Sequence, residues 1–118
     1  MIHILQIHGK IPSKKNLLRR RKNGGMFRVR KVADRIDGIT SQIAEAWGGR
    51  EPMDRPALRA VFRIVDHRSD VDNKYTTVQD CLTKAGVLIN DNTRHGPKPI
   101  TIDWTEGEPE GVTIYLEE

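Results

Sequence analysis

The sequence has little cysteine, few aromatic side chains and no long apolar run. A single cysteine, Cys81, stands among 118 residues, so an internal disulfide is impossible. Hydrophobic residues make up 36% of the chain, and no run approaches the roughly 18 to 20 apolar residues that a membrane-spanning helix needs. The start "MIHILQIHGK" has no basic region before its apolar stretch and no small-residue cleavage site, which argues against a secretory signal. These absences predict a soluble, cytoplasmic chain without a membrane partner, and the length predicts one domain over residues 1–118.

Acids are absent from residues 14–31, called the basic segment below, and bases are absent from residues 101–118. The basic segment holds nine bases: Lys14, Lys15, Arg19, Arg20, Arg21, Lys22, Arg28, Arg30 and Lys31. Like charges repel unless a polyanion lies against them, so the segment predicts a mobile arm that binds nucleic acid. A solvated loop is the alternative interpretation. Phe27 is the one aromatic residue in the segment, which favours phosphate contact over stacking on bases.

Apolar spacing predicts two helices and four strands. The predicted order is a strand at 2–8, the basic segment, a helix at about 29–47, a strand at 57–66, a helix at 73–85, and strands at 100–104 and 111–116 joined as a hairpin. The first strand is apolar on both faces, which predicts burial between other elements. Cys81, Trp47 and Trp104 are predicted to lie in the core. This order favours an α+β fold, with a mixed or antiparallel sheet of about four strands and two helices on one face.

The stretch "SDVDNKYTTVQDCLTKAGVLINDN" places four aspartates around the second predicted helix. Asp70 and Asp72 lie two residues apart where the preceding strand is predicted to end, so in an extended chain both carboxylates project to the same side. Two carboxylates so close repel each other unless a cation lies between them. Asp72 is also a suitable N-cap for the helix, but capping accounts for one aspartate and not for two.

Asp91 is the third predicted member of this site. A helix over 73–85 is about 20 Å long, and an extended, antiparallel segment over 86–90 covers about 17 Å, so Asp91 returns to the start of the helix. Asp80 lies about 12 Å along the helix and is excluded. Carboxylate oxygens are ligands that Mg²⁺ prefers, and a bound Mg²⁺ assists phosphodiester hydrolysis. The alternative is a capped surface helix with ordinary charges.

The stretch "DVDNKYTTVQDCLTKAGVLINDN" closely resembles the signature of the RusA-type Holliday junction resolvases. In that family an Asp-x-Asp-Asn opens a helix, an Asp-x-Leu lies inside it, and a glycine and a short apolar stretch lead to an acidic pair. The segment "IPSKKN" is similar to the family's Pro-Ser-Lys-Lys-Asn segment, here at 12–16. The resemblance implies a RusA-like fold and a homodimeric endonuclease that depends on Mg²⁺, with Mn²⁺ as the other candidate metal. Such an enzyme cuts four-way junction DNA with paired, symmetric nicks in phage or prophage recombination and repair.

Carried over position by position, the resemblance implies roles for seven residues. Asp70, Asp72 and Asp91 match the metal-binding catalytic aspartates. Ser13, Lys14, Lys15 and Asn16 match a DNA-contacting loop. Independently of the resemblance, Asn73 is predicted to orient an aspartate or contact a DNA phosphate, and an ordinary polar residue in the first helical turn is the alternative.

Two positions depart from the family's pattern. Thr76 stands where the family usually has a lysine, and Asn90 replaces one member of the acidic pair. Lys74 is no simple substitute for that lysine because it lies about 200° away around the helix, whereas Lys14 or Lys15 is a candidate source of the cation. These departures leave open a non-catalytic junction-binding protein, and a structure-specific nuclease acting on flaps or RNA is a third hypothesis.

Overall fold

The computed structural model describes residues 1–13, 18–65, 71–90, 92 and 94–118. The elements along this part of the chain are β1 (Ile2–His8), β2 (Leu18–Arg20), β3 (Met26–Arg28), α1 (Arg30–Trp47), β4 (Ala57–Ile64), α2 (Val71–Lys84), β5 (Ile100–Glu106) and β6 (Gly111–Glu117). Four strands form a mixed sheet, and β2 and β3 form a separate two-stranded sheet. The predicted α+β fold is confirmed.

The four-stranded sheet has the order β1-β6-β4-β5. Strand β6 is antiparallel to both β1 and β4, whereas β5 is parallel to β4. Helix α2 is the crossover that joins the two parallel strands. The predicted hairpin between the last two strands is therefore wrong, because β4 lies between them. Alternation identifies a strand but not its neighbour, and β4, in which Ala60 and Phe62 are fully buried, occupies the centre of the sheet.

Helix α1 has the predicted bounds to within one residue. Its buried residues include Ile36, Ile39, Ile43 and Trp47, which recur every three or four positions and so share one face. Gly48 ends the helix in a left-handed conformation, and its N–H donates to the carbonyl of Ala44 at 3.1 Å. Within the described residues, no helix is long and apolar enough to cross a membrane.

Helix α2 begins earlier than the sequence predicted. It starts at Val71, so Asp72 lies inside its first turn rather than before it as an N-cap. The predicted extended geometry of Asp70 and Asp72 involves Asp70, which lies outside the described residues, so their relative placement stays a prediction; β4 ends at Ile64, and Val71 and Asp72 are helical. The stripe of Tyr75, Val78 and Leu82 is buried as predicted.

The core lies between both helices and one face of the four-stranded sheet. Strand β1 is at the edge of that sheet, and only its inward residues Leu5 and Ile7 are buried, whereas Ile2 and Ile4 are each 57% exposed. The prediction that β1 is buried on both faces is therefore wrong. Cys81 and Trp47 lie in the core as predicted, but Trp104 is 49% exposed because β5 is the opposite edge strand.

The basic segment is more regular than the predicted arm. Between residues 18 and 31 it forms the antiparallel pair β2 and β3, in which Arg19 lies opposite Phe27, and then the first residues of α1. A tight connection joins the two strands, with the N–H of Arg21 donating to the carbonyl of Gly25 at 3.1 Å. These two strands, called the basic hairpin below, carry exposed arginines on a defined backbone.

Candidate functional site

The amino-terminal turn of α2 carries two of the predicted site residues. Asp72 is exposed there and Asn73 is half-buried. A carboxylate in the first turn is favoured by the positive end of the helix dipole, which also accounts for an acid at this position without any metal. The hydroxyl of Thr76 donates to the backbone carbonyl of Asp72 at 3.2 Å. Thr76 therefore contacts the backbone of the turn and supplies no cation beside Asp72.

Lys74 connects this turn to the segment that precedes the basic hairpin. Its side chain is only 7% exposed, and its ammonium group donates to the carbonyl of Ile11 at 3.0 Å. A buried ammonium group is costly unless acceptors surround it, so this contact fixes the backbone at Ile11 against the start of α2. Ser13, the first residue of the predicted DNA-contacting loop, is two residues further along the chain. The structure thus brings the entry to that loop next to the turn that carries Asp72.

The burial of Lys74 and its contact with Ile11 were not predicted, although the sequence carries a signal for the burial. Lys74 precedes Val78 by four residues and Leu82 by eight, so it continues a buried helical stripe. A lysine at such a position either extends its head to solvent or finds an acceptor inside. The carbonyl of Ile11 is that acceptor, and it is far away in sequence, which pattern analysis of α2 alone does not reveal.

Two hydroxyl groups near this contact have no hydrogen-bond partner among the described residues. They belong to Ser13, which is half-buried, and to Tyr75, which is 6% exposed. Burial raises the pKa of the Tyr75 hydroxyl well above its ordinary value. Tyr75 is therefore a neutral core residue. The hydroxyl of Ser13 is a hydrogen-bond donor at the start of the predicted loop.

The segment that follows α2 is ordered by asparagine side chains. The amide oxygen of Asn90 accepts from the N–H of Asn92 at 3.3 Å, and that of Asn92 accepts from the N–H groups of Arg94 and His95 at 3.0 and 2.9 Å. Such side-chain contacts to nearby N–H groups are the usual reason for asparagine in turns. Asn90, the departure from the acidic pair, therefore has a structural use in forming the turn.

Several predicted site residues lie outside the described part of the chain. They are Asp70, Asp91, Lys14, Lys15 and Asn16. Within the described ranges, no group of three or more histidine, cysteine, aspartate or glutamate side chains is arranged to hold a metal ion. Asp72 is the one predicted metal ligand whose position the structure gives, and its exposed carboxylate is the kind of oxygen donor that Mg²⁺ takes. The convergence of the three aspartates stays a prediction.

Positive charge is concentrated on the basic hairpin. Arg19, Arg20 and Arg28 are exposed, and the guanidinium of Arg21 lies 5.5 Å from the ring centroid of Phe27. Arg59 on the sheet differs, because its guanidinium donates to the carboxylate of Asp103 at 3.0 Å. Exposed guanidinium groups on a hairpin are suited to phosphate contacts.

Fold and site together define a class: a small α+β domain with a basic hairpin and an exposed carboxylate at the start of a helix. Comparison with known proteins adds no narrower assignment, since no protein-family model matches the chain and a search of the curated proteins found no match.

Proposed function

We propose that the chain is a Mg²⁺-dependent endodeoxyribonuclease of the RusA type that resolves four-way DNA junctions by paired, symmetric nicks. The observation that carries the proposal is the hydrogen bond between Lys74 and the carbonyl of Ile11, at 3.0 Å. It joins the helical turn of Asp72 to the entry of the segment that resembles the family's DNA-contacting loop. Catalysis on DNA requires such proximity between a metal-binding carboxylate and groups that hold the phosphate backbone.

The residues divide into two groups in this proposal. Asp70, Asp72 and Asp91 hold Mg²⁺, which when bound supplies charge neutralisation at the phosphate and a lowered pKa for an attacking water. Ser13, Lys14, Lys15, Asn16 and Asn73 bind and orient the DNA strand. The exposed arginines of the basic hairpin neutralise phosphates further along the arms of the junction.

A homodimer belongs to the same proposal. A four-way junction is approximately two-fold symmetric, so a two-fold dimer presents one copy of the site to each of two opposed strands. Paired nicks then follow from symmetry, without a second kind of active site. We propose that the dimer acts in the cytoplasm, in phage or prophage recombination and repair.

The test is cleavage of a synthetic four-way junction in the presence of Mg²⁺ or Mn²⁺. We expect paired nicks at symmetric positions on opposed strands, and a loss of about a hundredfold or more in cleavage rate for Asp72→Asn and for Asp70→Asn. Junction binding in EDTA should persist in both variants, because the aspartates serve the metal rather than the DNA.

Asp80→Asn is the matched control for this experiment. Asp80 is half-buried on the same helix, eight residues beyond Asp72, and the substitution makes the same change in charge. Its cleavage rate should stay within about twofold of the wild-type rate once folding is verified by circular dichroism. Equal loss in Asp80→Asn and Asp72→Asn contradicts the assignment of Asp72, and cleavage of simple flaps or RNA as readily as junctions favours the broader nuclease.

A non-catalytic junction-binding protein is the second candidate function. It is favoured by the contact of Thr76 with the carbonyl of Asp72, at the position where the family usually has a lysine. This candidate predicts tight junction binding with no cleavage in either metal. In that case, Thr76→Lys is the variant to examine for a gain of cleavage.

A further inference from the structure

A cleft of about 340 Å³ opens between α2 and the loop that leads into β5. The residues that line it include Arg55, Gln79, Asn92, Pro97, Lys98 and Ile100. Among the described residues, this lining carries two cations, two amides and no carboxylate. The roles proposed above for the aspartates and the basic hairpin leave this cleft without a function.

Hydrogen bonds between loops fix the walls of the cleft. The N–H of Arg55 donates to the carbonyl of His95 at 3.0 Å, and that of Lys98 donates to the carbonyl of Pro56 at 2.9 Å. His95 is held in turn by Asp54, with 2.9 Å between the ring nitrogen and the carboxylate. A site whose backbone is already ordered loses less entropy when a ligand binds.

The position of the cleft relates it to the proposed cleavage site. Gln79 follows Asp72 by seven residues, which is nearly two helical turns, so both side chains lie on one face of α2 about 10 Å apart. Asn92 is the next residue after Asp91 in the sequence. Because its amide oxygen accepts from two backbone N–H groups, we assign the NH₂ group of Asn92 to the contact with a ligand.

We propose that this cleft binds one nucleotide of the DNA strand beside the cleaved phosphodiester. Lys98 and Arg55 contact the phosphate, the amides of Gln79 and Asn92 contact the polar edge of the base, and Ile100 contacts an apolar face. The volume matches the lower end of the range for small-ligand sites, about 300 Å³. The inference rests on the proposed function for its DNA strand, and it makes the cleft a determinant of which nucleotide is tolerated next to the cut.

The experiment is an NMR titration of the intact chain with deoxynucleoside 5′-monophosphates and, separately, with inorganic phosphate. We expect saturable shifts of the backbone amides of Gly96, Lys98 and Ile100, and binding of at least one nucleotide about fivefold or more tighter than phosphate. Lys98→Gln should lower the affinity for that nucleotide about fivefold or more. Gln79→Ala is a second variant, expected to reduce the preference for a nucleotide over phosphate.

Lys84→Gln is the matched control, because it removes the same charge from an exposed position in the last turn of α2, outside the lining of the cleft. It should leave the nucleotide affinity unchanged. The inference is overturned if these amides do not shift, if phosphate binds as tightly as every nucleotide, or if Lys84→Gln weakens binding as much as Lys98→Gln. A chain that binds nucleotides here but cuts no junction keeps the nucleotide-binding cleft and loses both the proposed nuclease and the place of the cleft beside a cut. A chain that cuts junctions without these shifts keeps the nuclease and loses the nucleotide-binding cleft.

Discussion

Tyr75 carries its hydroxyl group into the core near the start of α2, where no described residue pairs with it. Burying an unpaired hydroxyl costs about 1–3 kcal/mol, which phenylalanine avoids. We therefore expect Tyr75→Phe to raise the free energy of unfolding by about 1 kcal/mol at neutral pH, measured by urea denaturation. Tyr115→Phe, at a half-buried position on β6, is the control and should change stability by less than about 0.5 kcal/mol.

Tyr75 also predicts how the free energy of unfolding depends on pH. Burial raises the pKa of the Tyr75 hydroxyl in the folded chain, whereas in the unfolded chain it titrates near its ordinary pKa of about 10. The free energy of unfolding of the wild-type protein therefore keeps its full value below about pH 10 and falls as the pH rises further, because the unfolded chain releases the proton first. The difference in free energy of unfolding between Tyr75→Phe and the less stable wild-type protein should therefore increase above about pH 10. A loss of stability in Tyr75→Phe at neutral pH would instead show that the hydroxyl has a partner.

At the scale of elements, replacing two different glycines by alanine is expected to have opposite effects on the free energy of unfolding. Gly111 begins β6 opposite β1, and a Cβ there would collide with the carbonyl oxygen of Ile7 and lie 2.7 Å from a guanidinium nitrogen of Arg63. Gly38 lies within α1, and a Cβ there would have no neighbour within 4 Å. Overpacking costs about 1–3 kcal/mol, whereas glycine inside a helix costs about 0.5–1 kcal/mol relative to alanine.

We therefore expect Gly111→Ala to lower the free energy of unfolding by about 1–3 kcal/mol and Gly38→Ala to raise it by about 0.5–1 kcal/mol. Urea denaturation of both variants beside the wild-type protein measures the difference. Each serves as the control for the other, since both make the same chemical change. Equal stability of Gly111→Ala and the wild-type protein would contradict the close pairing of β1 with β6.

Both helices and the four strands of the larger sheet were predictable from local sequence, whereas β2, β3 and the neighbours of each strand were not. The spacing of Ile36, Ile39 and Ile43 gave α1 because a helix face repeats along one segment. The separation of β5 from β6 by β4 depends on contacts between distant segments, which turn residues at 107–110 do not encode. The exposure of Trp104 follows from that strand order in turn.

The candidate site was likewise predictable only in part: a residue could be identified from its neighbours in the sequence, but contacts between distant segments could not. Asp72 is identifiable as a helix-opening carboxylate from its neighbours, although its helix begins one residue before it. The contact of Lys74 with Ile11 joins residues 63 positions apart, and nothing in either segment alone specifies it. The cleft is a further case, because its lining combines Arg55, Gln79 and Lys98 from separate segments.

At the scale of the whole molecule, the segregation of charge predicts how the proposed DNA binding responds to salt. Each phosphate contact releases counterions and contributes about 0.9 to the slope of log affinity against log salt concentration. Arg19 and Arg20 lie on the exposed basic hairpin, so Arg19→Gln with Arg20→Gln should reduce the magnitude of the slope by about 2 if each contacts one phosphate. The slope is measured by fluorescence anisotropy of a labelled four-way junction, titrated with the protein in EDTA at several salt concentrations.

The matched control removes the same two charges elsewhere. Arg59 already pairs with Asp103, and a guanidinium nitrogen of Arg50 lies 2.9 Å from a ring nitrogen of His3, so both arginines have partners away from the hairpin. Arg50→Gln with Arg59→Gln should leave the slope within about 0.5 of the wild-type value, because only long-range charge is lost. If both double variants reduce the slope equally, net charge rather than the basic hairpin governs binding. A reduction confined to the Arg19 and Arg20 double variant assigns the contacts with the junction arms to the basic hairpin.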